Sequence, residues 1–410
     1  VSVSPSTAGT DLGQAKRAAL LLATATAVGG AVGPIAIGTG GLVGVALLPA
    51  SEKALATLPV TTFIVGSALA SIPAALSMRR IGRRAGFVFG ALFGATGAAA
   101  AAASILAGSF VLFCLSLAVL GSAHAFSQQY RFAAADAAPA AFKAKAISWV
   151  LAGGVVTGVV GPQIAIHGQG IIPAAPLAGP FAVVAGLLVL SATILSRLDV
   201  PPPPPIVAGQ GGRPVLEILF RPKFLVALLA AISSYALMSF VMTATPIAMI
   251  DHHHHHSDAQ LGIQWHVIAM FGPSFFSGGL VGRFGKTRMA SAGLLLIALS
   301  AVIALAGTTL AHFWIALILL GIGWNFGFVA ATAMVAELYR PEEAFRVQAM
   351  NEFILFGFVA LASFSAGKVL AGAGWDAVNW GVFPVVAVTL LALAAQSIAD
   401  RREGPAPTTR

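Results

Sequence analysis

Polar and charged positions in this chain are confined to short intervals between long apolar runs. The runs occupy 18–40 (with a further apolar piece to 48), 56–78, 85–107, 110–129, 146–166 and 180–198 in the first half. In the second they occupy 224–250, 261–281, 289–310, 313–335, 349–371 and 380–398. Each is close to the ~20 residues with which an α-helix, rising ~1.5 Å per residue, crosses ~30 Å of hydrocarbon. Inside a bilayer the backbone must satisfy its own hydrogen bonds, which a helix does within one segment. The pattern therefore predicts an all-α membrane protein of twelve transmembrane helices. Five consecutive prolines at 201–205 favour an extended polyproline II stretch with a solvated backbone. Residues 199–222 are thus expected to be an aqueous linker between six-helix bundles at 16–198 and 223–398. Residues 1–15, rich in Ser, Thr and Gly, read as a disordered tail, and 399–410 as a second tail.

Composition supports the membrane reading. Hydrophobic residues make up 58% of the 410 and charged residues only 9%, against roughly 25% charged in soluble proteins; the mean hydropathy is +0.91. The net charge of +9 is distributed by side rather than gathered into a nucleic-acid surface. Of 23 Lys and Arg, 21 fall in the tails or in the loops after spans 2, 4, 6, 8 and 10; Lys53 and Lys368 are the exceptions. Positive charge marks the cytoplasmic side of short loops, so both termini are expected in the cytoplasm and the chain in the inner (plasma) membrane, with the lipid bilayer as its partner. The first apolar run is followed by more spans, unlike a cleavable signal peptide. The single cysteine, Cys114, excludes an internal disulfide framework and reads as a small buried hydrophobe. No long aqueous loop and no His-Glu-x-x-His motif are present, so an enzyme is not expected. No cofactor is expected either, and the chain reads as a monomer.

Two motifs recur at one offset. Arg79-Arg80-Ile81-Gly82-Arg83-Arg84 has a twin in Gly282-Arg283-Phe284-Gly285-Lys286, with the two glycines 203 positions apart; Phe142-Lys143 and Phe345-Arg346 share that spacing. Parallel halves of six spans, together with these basic turns, resemble the major facilitator superfamily. Its motif between spans 2 and 3 is Gly-x-x-x-Asp-(Arg/Lys)-x-Gly-(Arg/Lys)-(Arg/Lys). Arg80, Gly82, Arg83 and Arg84 match its basic end, with Ala75 at the leading Gly and Arg79 at the Asp. The second copy keeps Gly278, Arg283, Gly285 and Lys286, with Gly282 at the Asp position. The resemblance implies alternating access and a gating role for Arg80, Gly82, Arg83, Arg283, Gly285 and Lys286. Plain anchoring of the loops at the cytoplasmic side also fits them. Arg131 with Asp136, and Glu337 with Arg340, are candidate gating pairs or surface contacts. Gly154, Gly158, Gly161 and Pro162 loosely resemble the antiporter motif of span 5, and small residues also serve helix packing.

The candidate chemistry lies in spans 7 and 8. Four of the eight methionines fall within 238–270. Met238 and Met242, like His266 and Met270, are spaced i, i+4 and so share a helix side. Three thioethers and an imidazole at similar depth form a soft, uncharged ligand set that suits Cu(I); methionines filling packing gaps are the plainer account. Met-x-x-x-Met followed by His-x-x-x-Met resembles the bacterial copper importers of the superfamily, which supply cbb3-type oxidase assembly. That resemblance implies copper as transported substrate, bound by Met238, Met242, His266 and Met270 and passed to a cytoplasmic acceptor. His252, His253, His254, His255 and His256 are a candidate metal-collecting loop. His124 with Gln128 one turn on fits either proton exchange or packing, and Tyr235, Trp324 and Asn325 are candidate cavity-lining residues. Two other functions remain open: a proton-coupled carrier of a small organic solute, and a polytopic metal sensor or scaffold.

Overall fold

The computed structural model describes residues 12–139, 142–200, 212–340 and 343–403. The proline run and most of the two predicted tails lie outside the described residues. Within them every regular element is helical. The first half contains α1 (Leu12–Gly29), α2 (Val32–Leu47), α3 (Leu58–Ile81), α4 (Arg83–Leu106), α5 (Phe110–Ser127), α6 (Tyr130–Asp136), α7 (Lys143–His167) and α8 (Gly179–Leu195). After α9 (Val215–Leu219) come α10 (Pro222–Asp251), α11 (His256–Phe271), α12 (Ser274–Phe284), α13 (Lys286–Ala306), α14 (Leu310–Ala336), α15 (Ala344–Trp380) and α16 (Val382–Glu403).

Nine helical segments among the described residues are long and apolar enough to cross a membrane, α1 and α2 acting together as one. The last of them, Arg346–Arg402, is 57 residues long and would extend about 86 Å as one rod, enough for two passes. Gly374 divides it, with φ 80° and ψ −177° inside α15. The pair α11–α12, bent by 45°, adds another pass, and the 25-residue α7 completes the predicted twelve.

The boundaries differ from expectation in several places, among them α9, which lies inside the expected linker. Helix α1 starts at Leu12, inside the expected tail. The loop after span 4 begins with the helical turn α6. Helix α11 starts at His256, inside the histidine run. The break between α11 and α12 falls at Gly272-Pro273, where proline has no N–H to continue the ladder.

The halves repeat each other in packing. In the first, α3 packs on α5, α4 on α5 and α8, and α1 on α7. In the second, α11 packs on α14, α13 on α14 and α16, and α10 on α15. The interface obeys the same symmetry: α7 meets α11, and α3 meets α15. Each contact is the other's image when span n is exchanged with span n+6. The twin turns coincide in backbone too, Gly82 having φ 83° and ψ 157° and Gly285 φ 87° and ψ 151°. An L side chain rarely adopts that conformation, which accounts for glycine at both sites. Close crossings use small residues, as membrane helices do: a side chain at Gly293 would collide with the Gly327 backbone. Val111, Leu115, Leu299 and Leu391 are exposed on outward faces, as lipid contact requires.

Candidate functional site

A cavity of about 260 Å³ lies between the halves, near the small end of the ~300–1,000 Å³ usual for small-molecule sites. Its walls are mostly apolar, with Phe63 and Pro34 on one side and Val267, Phe271, Phe356 and Val359 on the other. Thr26, Ser67, Thr157, Ser191 and Ser239 add scattered hydroxyls, and a polar cluster lies at the last turn of α5. His124, Ser127 and Gln128 stand at i, i+3 and i+4 and therefore share a face. The Gln128 amide nitrogen lies 2.9 Å from His124 Nε2. An amide nitrogen only donates, so Nε2 accepts and the imidazole proton sits on Nδ1. Nδ1 is 3.2 Å from the Ser127 hydroxyl, which in turn donates to the His124 carbonyl at 2.8 Å. The Phe63 ring lies 5.5 Å from the imidazole, tilted by 38°. One turn further, Arg131 of α6 faces Glu352 of α15 at 3.9 Å across the two halves.

From the second half, Tyr235 enters the cavity wall. Its ring is held edge-on by Trp324, Phe328 and Phe356 at 5.3–5.5 Å. Trp324 stacks on Phe328 at 5.2 Å and supports Tyr235 from behind, outside the lining. Asn325 is also outside it. Its amide nitrogen donates to the Met270 carbonyl and to the Ser274 hydroxyl, both at 2.7 Å, bridging the break between α11 and α12. Of the predicted lining residues, His124, Gln128 and Tyr235 reach the cavity, while Trp324 and Asn325 hold its walls.

The predicted metal ligands are divided. Met238, Met242 and Met270 line the cavity, but His266 does not. Fully buried, it donates from Nδ1 to the Leu317 carbonyl of α14 at 2.7 Å. The histidine run forms a structured turn. His252 Nδ1 donates to the Ala248 carbonyl and His254 Nε2 to the Thr308 carbonyl, each at 2.8 Å. His255 caps α11 in a reciprocal pair with Asp258, and His256 Nδ1 accepts from the Gln169 amide at 2.7 Å. His253, exposed, takes the turn's positive φ of 63°. These rings point to different partners, and among the described residues no three His, Cys, Asp or Glu side chains converge as metal ligands would.

The candidate gating charges pair differently from expectation. Arg131 meets Glu352, and the Asp136 side chain lies outside the described residues. Glu337 pairs with Lys286 of the second basic turn, not with Arg340, whose backbone N–H donates to Glu343 at 2.9 Å. Glu343 is buried and forked by Arg213, through Nε at 2.8 Å and Nη2 at 2.6 Å, with the Arg213 backbone N–H adding a bond at 2.8 Å. The Arg213 guanidinium holds its carboxyl well below the usual carboxylate range. Arg80 and Arg283 are exposed, the latter 5.4 Å over the Phe284 ring, and Arg83 is partly buried at the start of α4. Sequence reasoning missed Glu343, Arg213 and Glu352. Glu352 did carry a signal: a carboxylate inside an apolar run is expensive in a membrane and marks a working position.

A two-fold repeated twelve-helix architecture around a central cavity defines a membrane carrier. Residues 3–272 and 227–409 match the Major Facilitator Superfamily, and the chain belongs to that family. It is 50% identical over 386 residues to the riboflavin transporter RfnT of Brucella anthropi, covering 94% of this chain and 96% of that one. It is 31% identical over 337 residues to the MFS-type transporter YddS of Bacillus subtilis, covering 78% and 76%. Two solved structures share the fold at 12% identity. They are an auto-inhibited POT family peptide transporter (TM-score 0.65, 97% of this chain and 98% of that one) and the POT transporter PepTSo (0.66, 95% and 98%).

The relative from Brucella corrects the expectation of copper transport and metal binding. The physical reason lies in the ligands. The thioethers belong to an apolar cavity wall, His266 stands outside that wall with its Nδ1 on the Leu317 carbonyl, and the histidine run caps and ties its own turn. Met-x-x-x-Met and His-x-x-x-Met are short enough to arise from helix packing alone.

Proposed function

We propose that the protein is a secondary transporter that carries riboflavin across the cytoplasmic membrane by alternating access. The similarity to a riboflavin transporter over nearly the whole of both chains carries this reading. The cavity is chemically suited to such a solute. Phe63, Tyr235, Phe271 and Phe356 offer aromatic surface to a planar heterocycle, for which offset or edge-on ring contacts are favourable. His124, Ser127 and Gln128 offer neutral donors and acceptors to ring carbonyls and ribityl hydroxyls. In this reading the bundles at 16–198 and 223–398 rock about the cavity, joined by 199–222. With both termini in the cytoplasm, the outer end is the one where Gln260 donates to the Gly38 carbonyl at 3.0 Å and Gln163 to Gln264 at 2.8 Å.

The test is uptake of labelled riboflavin into proteoliposomes, with competition by unlabelled riboflavin, unrelated organic solutes and copper. Saturable uptake competed by riboflavin and indifferent to copper is expected; no saturable flavin uptake would sink the reading. Where His124 exchanges a proton rather than packing, an imposed proton gradient should accelerate uptake and His124→Gln should remove the acceleration; uptake indifferent to both leaves His124 the packing role.

A further inference from the structure

Arg131 is the one permanently charged side chain among the described residues that line the cavity. Left alone, such a cation would favour an anionic solute. Glu352 changes that balance. It stands 3.9 Å from Arg131 across the two halves, and on α15 it precedes Phe356 and Val359 by four and seven residues. Both of those side chains line the cavity, and positions i, i+4 and i+7 share one helix face. The carboxylate is therefore aligned with the cavity wall, one turn nearer the end where the termini lie.

The pair is loose for an ion pair, beyond the ~3.2 Å of a direct N–H···O bond, and Arg131 Nε is buried without a hydrogen-bond partner. A donor is thus left for a neutral acceptor such as a ring carbonyl, while the net charge at the mouth is balanced. A dianionic phosphate arriving there meets Glu352 as well as Arg131. Like charges brought together in a partly desolvated site cost several-fold to many-fold in affinity.

We propose that Glu352, by neutralising Arg131, makes the cavity select an unphosphorylated flavin over its phosphate ester. This rests on the riboflavin reading. It adds a specificity-determining residue that acts through charge balance rather than through shape.

Binding of riboflavin and of flavin mononucleotide to the purified full-length protein, followed by quenching of flavin fluorescence, tests the proposal. Wild type should bind riboflavin at least about tenfold more tightly than flavin mononucleotide, and Glu352→Gln should shrink that ratio by about tenfold. Glu352→Asp, which keeps the charge, should restore most of it. Monodispersity and melting temperature check that each variant is folded, and the Asp variant keeps the test usable if the Gln variant fails to fold, since retained charge must then retain selectivity. A ratio unchanged in Glu352→Gln, or lost in folded Glu352→Asp, overturns the proposal while leaving riboflavin as the substrate. Wild type binding both flavins equally overturns it as well. Folded wild type binding neither flavin brings down the riboflavin reading and, with it, this one.

Discussion

Glu343 accepts four hydrogen bonds, three from Arg213 and one from the Arg340 backbone, in the loop between α14 and α15. Because Arg213 holds its carboxyl below the ordinary range, the folded protein favours the ionised form. The resulting stabilisation is complete above the unfolded carboxylate's value of about 4.3 and is lost as pH falls below it toward the folded value. Melting temperatures in detergent should show Glu343→Gln less stable than wild type at pH 7, with the gap narrowing between about pH 4.5 and pH 3. At His266, replacement by Ala removes a buried hydrogen bond to the Leu317 carbonyl, which keeps its own helical donor, a loss of about 0.5–1.5 kcal/mol. Its melting temperature should drop, and copper should leave wild type's unchanged, whereas riboflavin at about 100 times its dissociation constant stabilises by about 2.7 kcal/mol. The spacing of His266 and Met270 was legible in the sequence, but their directions were not. Four residues advance a helix by about 40° beyond a full turn, enough for Met270 to reach the cavity while His266 turns to α14. Glu343 was visible as one of several loop acids. Its partner Arg213 lies 130 positions away, and nothing local names it.

Among the elements, the spans follow from hydropathy because hydrocarbon leaves helices no alternative. Their interruptions do not, since glycine and proline are ordinary inside membrane helices. Gly272-Pro273 and Gly374 break helices here, whereas Pro162 and Pro246 lie inside unbroken ones. At the α11–α12 break, Asn325 bonds to both sides. The twin turns are different: glycine flanked by basic residues at a repeated offset points to one backbone shape used twice. An alanine at Gly285 must adopt φ 87° with ψ 151°, a region essentially reserved to glycine, at a cost of roughly 1–3 kcal/mol. A melting curve of Gly285→Ala should show that loss, and Gly82→Ala one of similar size; no shift in either would mean that the turns relax freely.

At the scale of the molecule, the 203-residue offset made the duplication readable before any contact was known. The interface was not readable, because no pattern within a helix says which foreign helix it meets. Fold also left the cargo open, as it does generally, and two short Met and His spacings pointed to the wrong one. The α7–α11 contact places Gln163 and Gln264 in direct hydrogen bonding at 2.8 Å. If the halves must separate there for solute to enter, Gln163→Cys with Gln264→Cys, joined by a reducible cross-linker, should stop uptake, and reductant should restore it. Cys114, the single native cysteine, is buried and leaves that reaction clean. Transport persisting through complete cross-linking would mean that this contact stays closed throughout the cycle.

The five-histidine turn also has a practical consequence. To the eye it is an affinity handle set in the middle of the chain. Yet His252, His254 and His256 already hold Ala248, Thr308 and Gln169. Immobilised nickel should therefore release the folded protein at low imidazole and retain the denatured chain strongly, so that elution position becomes a simple gauge of whether this turn is folded.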